Sequence, residues 1–433
     1  MRALLLKKPG SFSKMEFSQV KKPKLKAGYL RVKVEAVGLN PVDCNIAERG
    51  HEVFKYPVVL GFDVAGVVDS VSPEEPRWRE GDKVYFHTGI AGTGGFAEYL
   101  LVDARAISRL PEGLSFIEAA AIPCAGFTAY QALVKRMEIK AGNTILILGG
   151  SGGVGTFAIQ IACALGLNVI STCSTDNVEF LETLGARHVV DYKSEDIKQS
   201  VLAILKENNL ELDYILDTVS SESALSAMSI LKYGGAVACI AGLPDLTKLD
   251  RIARPFSLHS VMLGSAELND SPEAVDELKA MGDELGSMVA NGAVHPVIDS
   301  VIGFDEILEG LERIAGRHVR GKIVASIGEL SERQRISDLR WTQDKPDPET
   351  VRIPPNTGEF LHPDSFWNAF YWGDLTAREK RLWKILGWSA RSWRGDKGAP
   401  ESFNKGWKVL NDAERQAARE LGYGKGTWNS EES

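Results

Sequence analysis

Between Thr144 and Gly166 the sequence reads TILILGGSGGVGTFAIQIACALG, an apolar run, a glycine-dense turn and an amphipathic stretch in immediate succession. Within the turn, Gly150, Gly152 and Gly155 fall on the spacing G-x-G-x-x-G. That spacing serves phosphate: one glycine permits a tight turn, one lets the backbone approach a pyrophosphate, and one lets helix and strand pack closely. Ser151, Gly153 and Val154 lie among them at the start of the expected helix, where exposed N–H groups favour an anion. A glycine-rich turn also occurs in other α/β proteins; the strand before it and the helix after it single out the phosphate reading.

Other chemistry has less support. The cysteines, Cys44, Cys124, Cys163, Cys173 and Cys239, are scattered without a C-x-x-C pair, so neither a disulfide frame nor a structural zinc site is indicated, and a reducing compartment fits. A net charge of -8 over 433 residues, with no basic stripe, argues against nucleic acid or an anionic membrane as partner. The N-terminal MRALLLKKPGSF is too short an apolar run for a signal sequence and reads as a first strand. No apolar run is long enough to cross a bilayer, so a soluble protein of the cytoplasm is expected.

The elements that must position the glycine turn follow from periodicity. Leu30–Val37 and Val58–Val71 are rich in β-branched and apolar residues, punctuated by Gly61 and Gly66 at expected corners, so the first third is mostly strand. From about Ala119 strands alternate with helices: strand Ile145–Leu148, helix Gly155–Leu165, strand Val169–Thr172, helix Val178–Leu184, then strands Val189–Val190, Tyr214–Asp217 and Ala236–Ile240. This is βαβ winding, which predicts a parallel sheet with its ligand at the carboxyl ends of the strands. After Ser271 the pattern is mixed again, and Gly321-Lys322-Ile323-Val324-Ala325 reads as a strand rejoining the first domain.

Beyond Glu329 the composition breaks: eight of the nine tryptophans lie there, after a polar, proline-spaced linker. Trp372, Leu375, Glu379, Leu386-Gly387-Trp388 and Trp393 recur thirty-five positions later as Trp407, Leu410, Glu414, Leu421-Gly422-Tyr423 and Trp428. Each unit reads as one short helix, with Thr376/Glu379 and Asn411/Glu414 spaced as reciprocal N-caps and Gly387 and Gly422 as C-terminal stops. The tryptophans serve either as the core of a very small domain or as a surface for a protein partner.

Together with Asn40-Pro41-Val42-Asp43, Pro57-Val58-Val59-Leu60-Gly61-Phe62-Asp63-Val64-Ala65-Gly66, Gly81-Asp82-Lys83-Val84-Tyr85, Gly94-Gly95-Phe96-Ala97-Glu98-Tyr99, Pro123-Cys124-Ala125-Gly126-Phe127-Thr128-Ala129-Tyr130 and Gly321-Lys322-Ile323-Val324, the chain resembles the medium-chain dehydrogenase/reductase superfamily, in its zinc-free quinone oxidoreductase and enone reductase branch. The resemblance covers roughly 1–327. It implies an α/β fold: a GroES-like, mostly-β catalytic domain over 1–118 and 271–329, and a Rossmann-type doubly wound parallel sheet over 119–270. A linker over 330–356 and a tryptophan-rich helical tandem repeat over 357–433 would follow.

In zinc-dependent relatives the catalytic ligands are a cysteine where this chain has Asn40, a histidine where it has Phe62, and a cysteine near Cys124. Asn40 and Phe62 cannot replace them, the four-cysteine structural lobe is missing, and no metal is expected. The resemblance further implies that Asn40 touches the nicotinamide ribose, that Thr128 lies near the nicotinamide or diphosphate, and that Lys322 belongs to the cofactor site. A tyrosine that donates a proton in some enoyl reductases is absent from Arg49-Gly50-His51-Glu52-Val53-Phe54; His51, Tyr56 and Tyr130 are the substitutes, each with a structural role as alternative and solvent as a further proton source. At the end of the second Rossmann strand stands Cys173-Ser174-Thr175 rather than an acidic residue, and Tyr192 matches a 2′-phosphate contact in relatives, so NADPH is expected. Asp176 would oppose that phosphate if turned inward, and Lys193 would compensate.

The expected activity is NADPH-dependent, metal-free hydride transfer to an electrophilic small molecule, an α,β-unsaturated carbonyl or a quinone. The rival is an NADPH-binding scaffold that uses residues 357–433 to hold a protein partner. A homodimer is carried over from the resemblance as the default.

Overall fold

The computed structural model describes residues 1–90, 93–249, 255–266, 268, 271–317, 319–328, 377–388 and 409–421. The chain divides into two compact units, Met1–Asp338 and Leu339–Ser433.

In the larger unit the strand Thr144–Leu148 is buried at every position, as a continuous Thr-Ile-Leu-Ile-Leu run demands of a parallel strand covered on both faces. It lies third in a six-stranded parallel sheet, in the order His188–Asp191, Asn168–Cys173, Thr144–Leu148, Tyr214–Asp217, Ala236–Cys239, Ser257–Ser260. Leu146, Ile170, Val190, Ile215 and Val237 of its successive strands share one core. Helices Gly153–Ala164 and Val178–Leu184 follow their strands as the periodicity predicts. The edge strand Ser257–Ser260 is not legible in the sequence, because Ser-Leu-His-Ser is short and polar and is held only by pairing with Ala236–Cys239.

A second sheet, mostly antiparallel, runs in the order Ile298–Gly303, Lys322–Ser326, Tyr29–Gly38, Asp63–Val71, Lys83–His87, Ser108–Arg109, with Tyr99–Asp103 also paired to Tyr29–Gly38. The C-terminal strand thus rejoins the N-terminal sheet. A three-stranded sheet of Glu16–Gln19, Arg2–Leu6 and Val58–Val59 lies beside it. Gly61 turns the chain with φ +95°, but Gly66 is not a corner: it lies inside Asp63–Val71, where a Cβ would sit 2.2 Å from the Lys33 carbonyl oxygen.

The two sheets are tied at fixed points. Gly321 N–H donates to Ser151 O at 2.9 Å, and the Gln160 side chain exchanges two hydrogen bonds with the His295 backbone at 2.8 and 2.9 Å. Helix Pro272–Ala290 packs on strands Lys83–His87 and Ser108–Arg109 and on the segment Pro123–Phe127. The buried Tyr85 hydroxyl donates to Gly282 O of that helix at 2.5 Å. Among the described residues no helix is long and apolar enough to cross a membrane.

In the smaller unit helices Ala377–Ile385 and Asp412–Glu420 pack together, joined by Arg378 and Glu420 at 2.9 Å. Asn411 and Glu414 form the expected reciprocal cap, and Gly387 takes φ +82° as a C-terminal stop. Trp383 is buried, and Trp388 meets it edge to face at 6.1 Å. The expected linker 330–356, with Thr376, Trp372, Trp393, Trp407, Gly422, Tyr423 and Trp428, lies outside the described residues.

Tyr85→Phe, which deletes only the bond to Gly282, is expected to lower the unfolding free energy by about 1 kcal/mol in urea denaturation, without changing the slope on denaturant.

Candidate active site

The chain leaves strand Thr144–Leu148 through Gly149, whose φ of +81° and close approach to Thr218 Oγ1, 2.5 Å from a built Cβ, exclude a side chain. The tight-turn glycine is therefore the one before the motif; the Gly149-Gly150 dipeptide is the signal that could have found it. A Cβ on Gly150 would lie 2.1 Å from Ser171 Oγ, and one on Gly155 would lie 2.3 Å from Gly149 O, so internal packing demands both glycines. Gly152 differs. It caps helix Gly153–Ala164, and its Cβ would meet nothing nearer than Gly149 O at 3.6 Å. The space beside Gly152 is open, and Ser151, Gly153 and Val154 are half-buried around it. This cradle fits a dinucleotide pyrophosphate: the first-turn N–H groups lack intrahelical acceptors, and no acidic side chain stands in that turn.

At the end of strand Asn168–Cys173, Ser174 Oγ accepts from Asn177 Nδ2 at 3.0 Å. Asp176 is exposed, and Tyr192 is exposed beside Lys193, whose Nζ lies 5.5 Å from the phenol ring centre. Asp191 is held below its usual carboxylate range by Thr175, the Lys193 N–H and Ser194, all of which donate to it. Arg320 reaches this turn from the other sheet, with Nε donating to Asn177 Oδ1 at 2.8 Å.

A buried polar cluster faces the glycine loop from the catalytic side. Asn40 caps helix Pro41–Arg49, and its N–H donates to Asp43 Oδ2 at 2.8 Å. Asp43 Oδ1 accepts from Gly61 N–H at 3.0 Å. The Lys322 side chain passes Gly153, its Cδ 3.2 Å from a built Cβ there, and ends in the cluster. Its ammonium donates to Asp63 Oδ2 and Leu39 O, both at 2.9 Å, and to Asn40 Oδ1. These three bonds equal the donor capacity of an ammonium. Asn40 Nδ2 also donates to Asp63 Oδ2 at 2.9 Å, and Cys124 N–H donates to Asp63 Oδ1 at 2.6 Å. Lys322 is 4% exposed and Asp63 0%. Sequence reasoning assigned Lys322 to the cofactor alone and missed Asp63, Asp43 and His87; the signal was an acid and a lysine inside otherwise apolar strands.

Burial dominates the ionisation of this cluster. It pushes Asp43 up to about 7, aided by neighbouring Asp63 and opposed by the Asn40 and Gly61 N–H groups and Lys322. It pushes His87 down to about 4, so the imidazole is neutral at pH 7. His87 stacks on Phe62 with ring centres 5.8 Å apart, and its Nδ1 accepts from Gly89 N–H at 3.1 Å.

Asp63, His87 and Cys124 place one donor atom each within 4.8 Å of one another, the spacing of a metal site. The residues do not fit the ion. Both Asp63 oxygens are engaged, one of them by the Lys322 ammonium, and burial holds the Cys124 thiol strongly toward its protonated form. Removing Lys322 from Asp63 would uncover a buried charge.

Thr128 is buried at the start of helix Thr128–Tyr130. Tyr56 Oη accepts from His51 N–H at 3.3 Å, and Phe54 stands edge-on to both rings. Burial raises the pKa of Tyr130, aided by Glu284. None of the hydrogen bonds or ring contacts described for His51, Tyr56 or Tyr130 reaches Asn40, Lys322 or the glycine loop. The structure brings together Asn40, Lys322 and Gly153, and separately Ser174 with Arg320 through Asn177.

A phosphate cradle on a parallel sheet, faced by a polar cluster on a partly antiparallel one, is the arrangement of an α/β protein that binds a dinucleotide. The model of the Alcohol dehydrogenase GroES-like domain matches residues 26–112, and that of the Zinc-binding dehydrogenase family matches 153–282. The NAD(P)H oxidoreductase RTN4IP1, mitochondrial, of Danio rerio is 32% identical over 331 residues, 69% of this chain and 83% of that protein. The human Quinone oxidoreductase is 31% identical over 298 residues, 68% of this chain and 87% of that one. The solved quinone oxidoreductase of Coxiella burnetii superposes with a TM-score of 0.65 at 27% identity, covering 76% of this chain and 99% of that one. The chain belongs to the medium-chain dehydrogenase/reductase superfamily, in its quinone oxidoreductase branch, and is an oxidoreductase with a nicotinamide cofactor.

Two glycine substitutions separate ligand approach from packing. Gly152→Ala, at φ -77°, should keep stability within about 1 kcal/mol while weakening dinucleotide binding at least about tenfold. Gly155→Ala should lose about 1–3 kcal/mol of stability through its clash with Gly149 O. Urea denaturation and fluorescence titration with the dinucleotide read the two effects.

Asp43 and His87 give opposite pH slopes. Between about pH 4 and 7 folded Asp43 holds a proton that the unfolded chain has released, so its contribution to stability falls as pH rises. Between about pH 4 and 6.5 the unfolded chain holds a proton on His87 that the folded state lacks, so that contribution rises with pH. Each slope is at most about 1.4 kcal/mol per pH unit. Measured against the parent, stability of Asp43→Asn should rise with pH across this window, and that of His87→Gln should fall.

Proposed function

We propose that this protein is an NADPH-dependent, metal-free reductase that delivers hydride to an α,β-unsaturated carbonyl or a quinone. The observation that carries the reading is Lys322, whose ammonium lies against Asp63 and Asn40 and takes a carboxylate oxygen that a metal would need. A Lewis acid stabilises the alkoxide through which alcohols are oxidised. A lysine ammonium committed to three oxygens cannot take up a substrate oxygen in that way, which favours acceptors already poised for hydride.

A bound nicotinamide supplies the hydride. The chain's own residues do the rest: the N–H groups of Ser151, Gly153, Val154 and Gly155 hold the pyrophosphate, Ser174 and Tyr192 receive the adenosine ribose and its phosphate, and Thr128 and Asn40 flank the reacting end. The Lys322–Asp63 pair fixes which end of the Asn40 carboxamide faces which neighbour. Rate then comes from positioning and desolvation. The proton that follows hydride is assigned to water, since none of the contacts described for His51, Tyr56 and Tyr130 joins them to this cluster; a loss above about a hundredfold on substituting one of the three would reassign it. Cys44, Cys124, Cys173 and Cys239 are unbridged thiols, in keeping with the cytoplasm. A homodimer and a protein partner for residues 357–433 belong to the same proposal.

The test is NADPH consumption by the full-length chain, with a medium-chain 2-alkenal and an ortho-quinone side by side, NADH as control and a chelator arm. Saturable, chelator-resistant turnover with NADPH is expected. Turnover of the alkenal assigns double-bond reduction, and turnover of the quinone alone assigns quinone reduction. Tight NADPH binding with neither acceptor consumed would overturn catalysis in favour of a scaffold.

A further inference from the structure

We infer that Arg320 reads the 2′-phosphate of the cofactor, and that it rather than Lys193 sets the preference for the phosphorylated dinucleotide. This rests on the NADPH reading above and extends it to a residue that comes from the opposite sheet.

Arg320 is placed by its neighbours in sequence. Gly321 is bonded to Ser151 O and paired with Gly152, so the backbone beside Arg320 is pinned at the phosphate cradle. Its own N–H donates to Asp299 Oδ1 at 3.2 Å. From there the side chain crosses to the turn that follows strand Asn168–Cys173. The guanidinium lies 4.7 Å from the Phe180 ring centre, Nε donates to Asn177 Oδ1 at 2.8 Å, and Nη2 donates to Asp176 O at 3.2 Å. Asn177 passes the contact on, its Nδ2 donating to Ser174 Oγ at 3.0 Å. A permanent positive charge thus stands one carboxamide away from Ser174, at the strand end where adenosine ribose is read in this fold.

Charge and rigidity favour Arg320 over the alternatives. An enzyme selective for the unphosphorylated cofactor offers a carboxylate to the ribose hydroxyls. Here the nearby Asp191 carboxylate already accepts from Thr175, Ser194 and the Lys193 N–H, and Asp176 contributes its backbone carbonyl to Arg320. Lys193 is exposed on a flexible stem, whereas Arg320 is half-buried and braced by a ring, a side-chain amide and a carbonyl. A guanidinium held in one plane suits a phosphate better than a mobile ammonium, and it loses less entropy on binding.

The experiment is binding, not turnover: titration of the full-length protein, its R320M and R320K variants and K193M with NADPH, NADH, 2′,5′-ADP and 5′-AMP. R320M should weaken NADPH and 2′,5′-ADP about 10- to 100-fold, the cost of a charge-assisted hydrogen bond, and leave NADH and 5′-AMP within about twofold. R320K should recover part of the loss, and K193M should cost less than R320M. Equal loss for phosphorylated and unphosphorylated ligands would make Arg320 a structural brace and overturn the inference. An unchanged NADPH preference in R320M would also overturn it while leaving the NADPH reading intact. A parent protein that binds NADH as tightly as NADPH would overturn that reading itself.

Discussion

The buried pair between Lys322 and Asp63 is the constraint around which the catalytic half is arranged. Neither charge can be left alone in that interior, because stripping one partner leaves an uncompensated charge that costs several kcal/mol. The solution uses every donor of the ammonium and both oxygens of the carboxylate. Those bonds reach into four parts of the chain: the end of strand Tyr29–Gly38, the cap of helix Pro41–Arg49, the start of strand Asp63–Val71 and the turn at Cys124. Lys322 itself sits on the C-terminal strand, so a residue remote in sequence closes the site.

The same segment also ties the catalytic sheet to the cofactor sheet. Within three consecutive residues, Arg320 braces the second-strand turn, Gly321 pairs with the phosphate loop, and Lys322 runs past Gly153 into the polar cluster. Gly321 takes φ +74°, and a Cβ there would lie 2.4 Å from Val297 O, so the crossing is possible only with glycine. The Lys322 side chain thereby links the cradle at Gly153 directly to Asn40.

The sequence carried those features that depend on local order. The phosphate cradle was legible because strand, glycine turn and helix are contiguous, and the parallel strands because a fully buried run such as Thr144–Leu148 has no polar alternative. The reciprocal cap of Asn411 and Glu414 was legible for the same reason. What could not be read needed partners far along the chain. That Lys322 also pairs with Asp63, about two hundred and sixty positions earlier, could not be read from either residue's surroundings in the sequence. Strand Ser257–Ser260 has no pattern of its own and exists through its neighbour. His51 and Tyr56 had suitable chemistry at a suitable spacing, but the turn closes them on each other and on Phe54, and spacing alone says nothing of that.

The electrical balance of the cluster bears on the substrate. Lys322 is cancelled by Asp63, His87 is neutral at pH 7, and burial holds Cys124 as a thiol. Burial pushes Asp43 up to about 7, with Lys322 pulling the other way. A site of this kind has no surplus positive charge with which to draw electrons from an unactivated carbonyl or to hold an alkoxide. What it offers instead is a buried, hydrogen-bonded wall opposite the phosphate cradle, and in the proposed reaction such a site would act by orientation. The electrophilicity must then come with the acceptor, through conjugation that spreads the incoming charge onto an oxygen reachable by water. That requirement is met by enones, alkenals and quinones and not by simple alcohols or ketones, which is the physical ground for the acceptor class we propose.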